Sequence, residues 1–110
     1  LFMFSEEEWR SQETKLKNIS FTKQQARTFN RLYFSGAIEA MPDRQGRIII
    51  QQYLKDYADI KKDVVIVGVS NRIEIWAKTM WQEFYKNSSA AFEEIAQNLL
   101  DESASGKAVE

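Results

Sequence analysis

Apolar residues recur along this chain with two different periods, and the change from one period to the other marks the predicted elements. Over residues 5–17 and again over residues 22–33, they return every three or four positions, as in an amphipathic helix. Each segment opens with the spacing of a capping box, in which Ser5 or Thr22 precedes Glu or Gln by three residues. The pattern therefore predicts two helices in succession.

A bend flanked by strand-like residues follows the second helix. The run from Tyr33 to Ile50 carries apolar stretches on both sides of a polar segment at residues 43–47. This arrangement predicts a β-hairpin, a stiff two-stranded ribbon that closes at the polar bend. Gly46 suits the positive φ of a tight bend, and the side chain of Asp43 can bond back to the backbone of the turn.

A short helix or turn is predicted next, over residues 51–57. In this helix Tyr53, Leu54 and Tyr57 are expected to face inward.

A second hairpin is predicted over residues 64–76. Residues 64–69 are β-branched and nearly all apolar, which is typical of a strand buried on both faces. Residues 72–76 alternate polar and apolar, as in a half-buried strand, and Ser70 and Asn71 form the turn between the two.

From residue 78 onward the period is helical again. Two stripes share this period: Met80, Trp81, Phe84 and Tyr85, followed by Phe92, Ile95, Leu99 and Leu100. A stripe of this kind predicts core or subunit interface rather than a ligand site, and the polar end from Glu102 is predicted to fray. The order of helices and strands places the chain in the α+β class.

The composition excludes several kinds of chemistry. The 110 residues include no cysteine and no histidine, so disulfides, thiolate metal sites and the commonest general base are all absent. The sequence also lacks a glycine-rich phosphate loop and a convincing pair of acids. We therefore expect no enzyme, no metal, no cofactor and no small-molecule substrate.

Length and charge bear on location and partners. No apolar run reaches the length of a membrane span and no signal peptide is visible, so we expect a cytoplasmic protein without a membrane partner. Residues 1–78 hold 13 basic and 10 acidic residues, whereas residues 79–110 hold 2 and 6. Such a split lets one part of the molecule face a polyanion although the net charge is only −1.

The polar bend is the strongest candidate site, and its residues allow two interpretations. Arg44 and Arg47 are expected to point outward from a ribbon whose width fits a DNA major groove, where an arginine fork matches the O6/N7 edge of guanine. Alternatively, Asp43 and Arg47 form a surface salt bridge with no further role. Arg72 in the second hairpin is a weaker candidate, because it lies within the alternating strand pattern.

Three motifs give the chain a resemblance to a known family. They are Phe34-Ser35-Gly36-Ala37, Asp43-x-Gln45-Gly46-Arg47-Ile48 and Gly68-Val69-Ser70-Asn71-Arg72-Ile73-Glu74-Ile75-Trp76. With these motifs the sequence resembles the second half of the MraZ family of bacterial transcription regulators, from Leu1 to about residue 100. The family signature is an Asp-x-x-x-Arg element, which corresponds here to Asp43 and Arg47.

The resemblance implies an AbrB/SpoVT-like fold, a swapped-hairpin β-barrel repeat flanked by helices. Family members carry two repeats, and residues 1–4 resemble the closing strand of the first, so we expect the chain to be a piece of a longer protein. In this division the closing strand and a helical linker occupy residues 1–33, and the repeat with its DNA-reading loop occupies residues 34–77. The C-terminal helices and a frayed tail occupy residues 78–110. Because such a barrel interleaves two repeats, a second copy is expected to complete it, as a homodimer or a higher ring.

The resemblance also implies a function. Family members act usually as repressors, binding guanine-rich direct repeats in the promoter of a cell-division and cell-wall gene cluster. The partner is then double-stranded DNA and the location is the nucleoid. Arg44 and Arg47 would contact bases, Gln45 and Gly46 would shape the loop and contact backbone or bases, and Asp43 would brace it.

An alternative from another class stays open. The chain could be an oligomerisation or protein-interaction module that keeps the fold but has lost DNA affinity with the first repeat. The salt dependence of binding distinguishes these two functions, because affinity that rests on phosphate contacts falls steeply as the salt concentration rises, whereas apolar assembly barely responds.

Overall fold

The computed structural model describes residues 1–19 and 23–109, with side chains up to residue 101. It has an α+β fold, as predicted, and two compact units, one over residues 1–77 and one from Lys78 onward. The first unit contains β1 (Phe2–Met3), α1 (Glu6–Lys17), α2 (Gln24–Gly36), α3 (Gln52–Tyr57), β2 (Val64–Val69) and β3 (Arg72–Ala77). The second contains α4 (Lys78–Ser89) and α5 (Phe92–Val109).

The first helix begins at the predicted capping box. The Ser5 hydroxyl accepts a hydrogen bond from the backbone N–H of Glu8 at 3.1 Å, which satisfies one of the unpaired donors of the first turn. Three acidic residues lie in that first turn, and Lys15 and Lys17 lie in the last turn. The charges at both ends therefore complement the helix dipole. The second predicted capping box begins at Thr22, which lies outside the described residues.

The second helix is longer than predicted, and it ends only at Gly36. The prediction that Tyr33 and Phe34 open a strand is therefore wrong. Both rings pack against Trp9 of α1, with centroids 5.5 Å and 5.7 Å away, because they continue the helical stripe that starts at Phe29. Aromatic packing between two helices outweighs the strand-like composition of these residues.

The predicted two-stranded ribbon is also absent among the described residues. From Ala37 to Ile50 the backbone forms no regular strand, and the only backbone bonds that cross the bend lie between Asp43 and its neighbours up to Arg47. A two-stranded ribbon without further strands or a helix to pack on has only marginal stability. The bend itself is therefore formed, but its flanking arms remain unpaired.

The sheet has the order β1–β3–β2, and both pairs of strands are antiparallel. The prediction that β2 is buried on both faces is wrong, because no element of the described chain covers one of its faces: Val65, Val67 and Val69 are half-buried, whereas Ile66 is 66% exposed on the other face. The central strand β3 is covered instead, with Ile75 and Ala77 buried.

The small core lies on one face of β3. Ile60, Ile75 and Ala77 form it, with Leu1, Ile50 and Ala58 packed around them. Ile60 reaches this core because α3 ends with Asp59 in the left-handed region and the N–H of Ile60 bonded to the carbonyl of Lys55. Tyr57, predicted to face inward, is 86% exposed.

The second unit consists of two helices whose apolar stripes remain largely at the surface. Phe84, Tyr85, Phe92 and Leu99 are all exposed, so these stripes are not core within the described chain. The backbone of α5 continues to Val109, and the predicted frayed tail is helical. Among the described residues, no helix is long and apolar enough to cross a membrane.

Candidate nucleic-acid interface

The candidate loop lies on an irregular segment between α2 and α3. Residues 37–51 leave the C-terminal end of α2 and return at the start of α3. The hydroxyl of Tyr53 in α3 donates a hydrogen bond to the carbonyl oxygen of Gly36 at 2.9 Å. The two ends of the segment are thereby joined.

The bend is closed by its own backbone. The N–H of Asp43 donates to the carbonyl of Arg47 at 2.9 Å, and the N–H of Gly46 donates to the carbonyl of Asp43 at 3.0 Å. Gly46 has a φ of 78°, in the left-handed region, and it provides the positive φ that the sequence predicted.

The carboxylate of Asp43 holds the interior of the bend. Its Oδ1 accepts hydrogen bonds from the N–H of Gln45 at 2.9 Å and of Arg47 at 2.8 Å. Its Oδ2 accepts from Nε of Arg47 at 2.9 Å. The N–H of Arg47, with its side chain and the N–H of Gln45, lowers the pKa of Asp43 despite partial desolvation. The carboxylate is thus charged at neutral pH and fixes the loop.

The cationic side chains of the bend are at the surface. The Arg47 side chain is 73% exposed although its Nε is engaged. Arg44 is also exposed, and neither its guanidinium nor the amide of Gln45 bonds to any described residue. The predicted site residues, Asp43 to Arg47, are therefore brought together in one exposed turn.

The predicted alternative, a salt bridge between Asp43 and Arg47, is present in the structure. An ion pair between exposed side chains contributes little to stability, about 0–1 kcal/mol. Its main consequence is geometric, because the Nε contact orients the guanidinium without burying it. The ion pair is therefore compatible with both interpretations of the bend.

Arg72, the weaker candidate, is engaged elsewhere. Its guanidinium bonds to Glu74, with Nη2 at 2.7 Å and Nε at 2.9 Å from Oε2, and it lies 4.7 Å from the ring centroid of Phe2. Trp76 donates from Nε1 to the other oxygen of Glu74 at 3.0 Å. This arginine stabilises the sheet and is not available at the surface in the way that Arg44 is.

Two features of this region were missed in the sequence. The alternating pattern placed Glu74 on a polar face, yet its side chain is only 12% exposed. Burial alone would raise the pKa of Glu74, but the hydrogen bonds from Trp76 and Arg72 and the charge of Arg72 lower it. The contact between Tyr53 and Gly36 carried no sequence signal, because it joins residues that are 17 positions apart.

The chain matches a known family over most of these elements. The family model described as "MraZ protein, putative antitoxin-like" matches residues 33–103. The chain belongs to the MraZ family. The MraZ match begins in α2 and ends in α5, so it includes the loop at residues 43–47 and both long strands.

Individual MraZ proteins are similar over nearly the whole chain. A protein named "Transcriptional regulator MraZ" from Thermoanaerobacter sp. (strain X514) is 48% identical over 101 residues, which is 92% of this chain and 71% of that protein. A protein of the same name from Caldanaerobacter subterraneus subsp. tengcongensis is 48% identical over 99 residues, which is 90% of this chain and 69% of that protein. The one from Carboxydothermus hydrogenoformans is 46% identical over 101 residues, covering 92% and 71%.

Proposed function

We propose that this chain is a DNA-binding transcriptional regulator that reads guanine-rich direct repeats through the bend at residues 43–47. Two arginines at the tip of an exposed turn, one of them oriented by Asp43, carry this proposal. The names of the MraZ relatives support it, since each is called a transcriptional regulator. As a regulator of this family, it would repress a cell-division and cell-wall gene cluster from the nucleoid in the cytoplasm.

Each residue of the bend has a role in this proposal. Arg44 and Arg47 supply the hydrogen-bond donors that meet the DNA, and at least one arginine fork matches the major-groove edge of guanine. Gln45 and Gly46 form the turn and contact the DNA backbone or bases, while Asp43 braces the loop. A bidentate contact gives roughly 1–3 kcal/mol of discrimination, so several loops on one assembly are needed for tight, selective binding.

Self-association is the second part of the proposal. Residues 37–50 carry unpaired backbone together with exposed apolar side chains, of which Ile49 is 80% exposed. The edge strand β2 adds the exposed face of Ile66. Open strand edges and apolar surface favour pairing with a second chain. We infer that two copies complete a swapped-hairpin barrel, and that dimers assemble further into rings.

Selection from a pool of randomised duplexes tests the DNA-binding part, and it requires no assumed operator sequence. The chain is expected to enrich duplexes with spaced guanine runs, and fluorescence anisotropy with a selected and a scrambled duplex then gives both affinities. Arg47→Ala is expected to remove the preference for the selected duplex. Recovery of no common sequence, or equal binding of both duplexes, would contradict sequence-specific reading.

Sedimentation equilibrium tests the assembly. Dimers or multiples of dimers are expected at micromolar concentration, and a stable monomer would contradict a shared barrel. The exposed apolar residues also support the second candidate, a protein-interaction module without DNA affinity. That candidate predicts association that is insensitive to salt together with no salt-dependent binding to either duplex.

A further inference from the structure

We propose that Asp43 determines the sequence specificity of the loop by giving its two arginines different contacts with DNA. Asp43 neutralises the charge of Arg47 and orients its guanidinium, so that Arg47 contacts base edges. Arg44, in contrast, contacts phosphate. This inference rests on the proposed DNA-binding function. It assigns different ligand chemistry to two cations that lie three positions apart in one turn.

The carboxylate of Asp43 holds Arg47 at its backbone N–H and at the Nε of its side chain. Its backbone N–H donates to Oδ1 of Asp43 at 2.8 Å, and its Nε donates to Oδ2 of the same carboxylate at 2.9 Å. With Nε engaged, the two terminal amino groups remain as the fork that matches O6 and N7 of guanine. A side chain that is already ordered loses less conformational entropy when it binds, which favours a contact that depends on direction.

Charge favours the same assignment. Phosphate contacts are driven mainly by charge and by the release of counterions, and they carry no sequence information of their own. The pair of Asp43 and Arg47 has no net charge, and the carboxylate repels a phosphate that approaches it. A base edge is an uncharged array of donors and acceptors, so the pair loses little there. Arg47 is therefore suited to bases and poorly suited to phosphate.

Arg44 has the opposite properties. It forms no hydrogen bond or ion pair within the described part of the chain, and both oxygens of the adjacent Asp43 already accept bonds from Gln45 and Arg47. Its charge is uncompensated and its side chain is unrestrained. An exposed arginine without an internal partner matches a phosphate, which requires charge more than a single direction.

Asp43→Asn is the decisive variant, because it changes one acceptor and little else. The amide oxygen can still accept from the N–H groups of Gln45 and Arg47, but the amide nitrogen cannot accept from Nε of Arg47. Arg47 then keeps its charge and loses its orientation. Arg44→Ala is the matched control, since it removes the other cation and leaves the pair of Asp43 and Arg47 intact.

The readout is binding to the selected and scrambled duplexes as a function of salt. For Asp43→Asn we expect the ratio of the two affinities to fall on the order of tenfold, while the scrambled duplex binds more tightly. Its log K against log salt should steepen by about 0.9 for each loop that gains a phosphate contact. For Arg44→Ala we expect the affinities for both duplexes to fall by the same factor, so that their ratio is unchanged. The slope of log K against log salt should become shallower by about the same amount.

Two results would overturn the inference and leave the proposed function standing. One is a wild-type chain that discriminates between duplexes together with an Asp43→Asn variant that does so equally well. The other is an Arg44→Ala variant that loses its selectivity. A wild-type chain that binds both duplexes alike would overturn both proposals. The ¹⁵Nε resonance of Arg47 provides a check without DNA, because it should lose its hydrogen-bonded shift in Asp43→Asn while circular dichroism stays unchanged.

Discussion

Tyr53 and Gly36 are joined by a hydrogen bond of 2.9 Å from the phenol hydroxyl to the backbone carbonyl, although they are 17 positions apart. This bond connects the end of α2 to α3 across the base of the segment that carries the bend. Residues 37–42 form no strand, so the segment is restrained by this bond at one end and by the packing of Ile50 on the core at the other. The direction of the loop therefore depends in part on the position of one hydroxyl group.

Replacing Tyr53 with Phe should loosen the loop. A single hydrogen bond of this kind contributes about 1 kcal/mol, so the hydrogen-bonded amides at the two ends of the segment, those of Ala37, Leu54 and Lys55, should exchange with solvent severalfold faster. Hydrogen exchange read by mass spectrometry measures this directly. Tyr57→Phe is the control, because it makes the same chemical change on a residue of α3 that is 86% exposed. Equal exchange in the two variants would show that the bond does not restrain the loop.

Replacing Gly46 with Ala should strain the bend. An added Cβ meets no atom within 4 Å, so the cost arises only from the φ of 78°, which an L-residue adopts at a cost of about 1–2 kcal/mol. DNA affinity should fall by roughly tenfold, and Gly46→Asn should cost less because Asn tolerates this region. Gly36→Ala adds the same methyl group where φ is not positive, and it should leave affinity unchanged. Equal loss in both Ala variants would contradict a special role for Gly46.

Replacing Glu74 with Gln should destabilise the fold by about 2 kcal/mol at neutral pH, because charged hydrogen bonds to Arg72 and Trp76 are lost. The pKa of Glu74 is lowered below its ordinary value of 4.5. The stabilisation is therefore fully present above that pH and is lost as the pH falls through the lower, folded pKa. Urea unfolding at fixed protein concentration measures both effects.

The wild-type chain and Glu74→Gln should accordingly converge in stability below pH 4.5. Glu83→Gln is the control, since Glu83 is exposed and the same chemical change there should leave the stability unchanged. A gap between wild type and Glu74→Gln that persists unchanged into acid would show that the charge of Glu74 is not what stabilises the sheet.

Replacing Ser5 with Ala should cost about 1 kcal/mol, because the hydroxyl caps the N–H of Glu8. Ser11→Ala on the exposed surface of the same helix should be neutral or slightly stabilising, since Ala has the higher helix propensity. Thermal unfolding of the two variants separates capping from propensity. If Ser5→Ala proved no more damaging than Ser11→Ala, the capping bond would make no measurable contribution to stability.

Local features were predictable from the sequence because their causes are local. The cap at Ser5, the short helix α3 and the turn between β2 and β3 each depend on bonds that span a few positions. The bend belongs to the same class, since all bonds of the Asp43 carboxylate lie within four positions. Residue type and spacing are sufficient to specify contacts of this range.

The predictions that the structure contradicts failed for a different reason, since they depend on contacts between distant parts of the chain. Tyr33 and Phe34 have the composition of a strand, but their contact with Trp9 in another helix keeps them helical. An apolar strand such as β2 is buried on both faces only if other elements cover both, and here the face that carries Ile66 stays exposed. The sequence pattern contains the hydrophobicity of each residue but not the neighbours that the topology supplies.

The sequence by itself therefore determined the capped start of α1, the turn between β2 and β3, how the bend at residues 43–47 closes, and which residues the bend exposes. The tertiary structure alone decided that Glu74 is buried between Arg72 and Trp76, that β3 rather than β2 is the central strand, and that Tyr53 holds the base of the loop. The physical reason is the range of the contacts. Those of the first kind form within one turn of chain, whereas Leu1 reaches Ile75 and Tyr53 reaches Gly36 only after distant segments have packed.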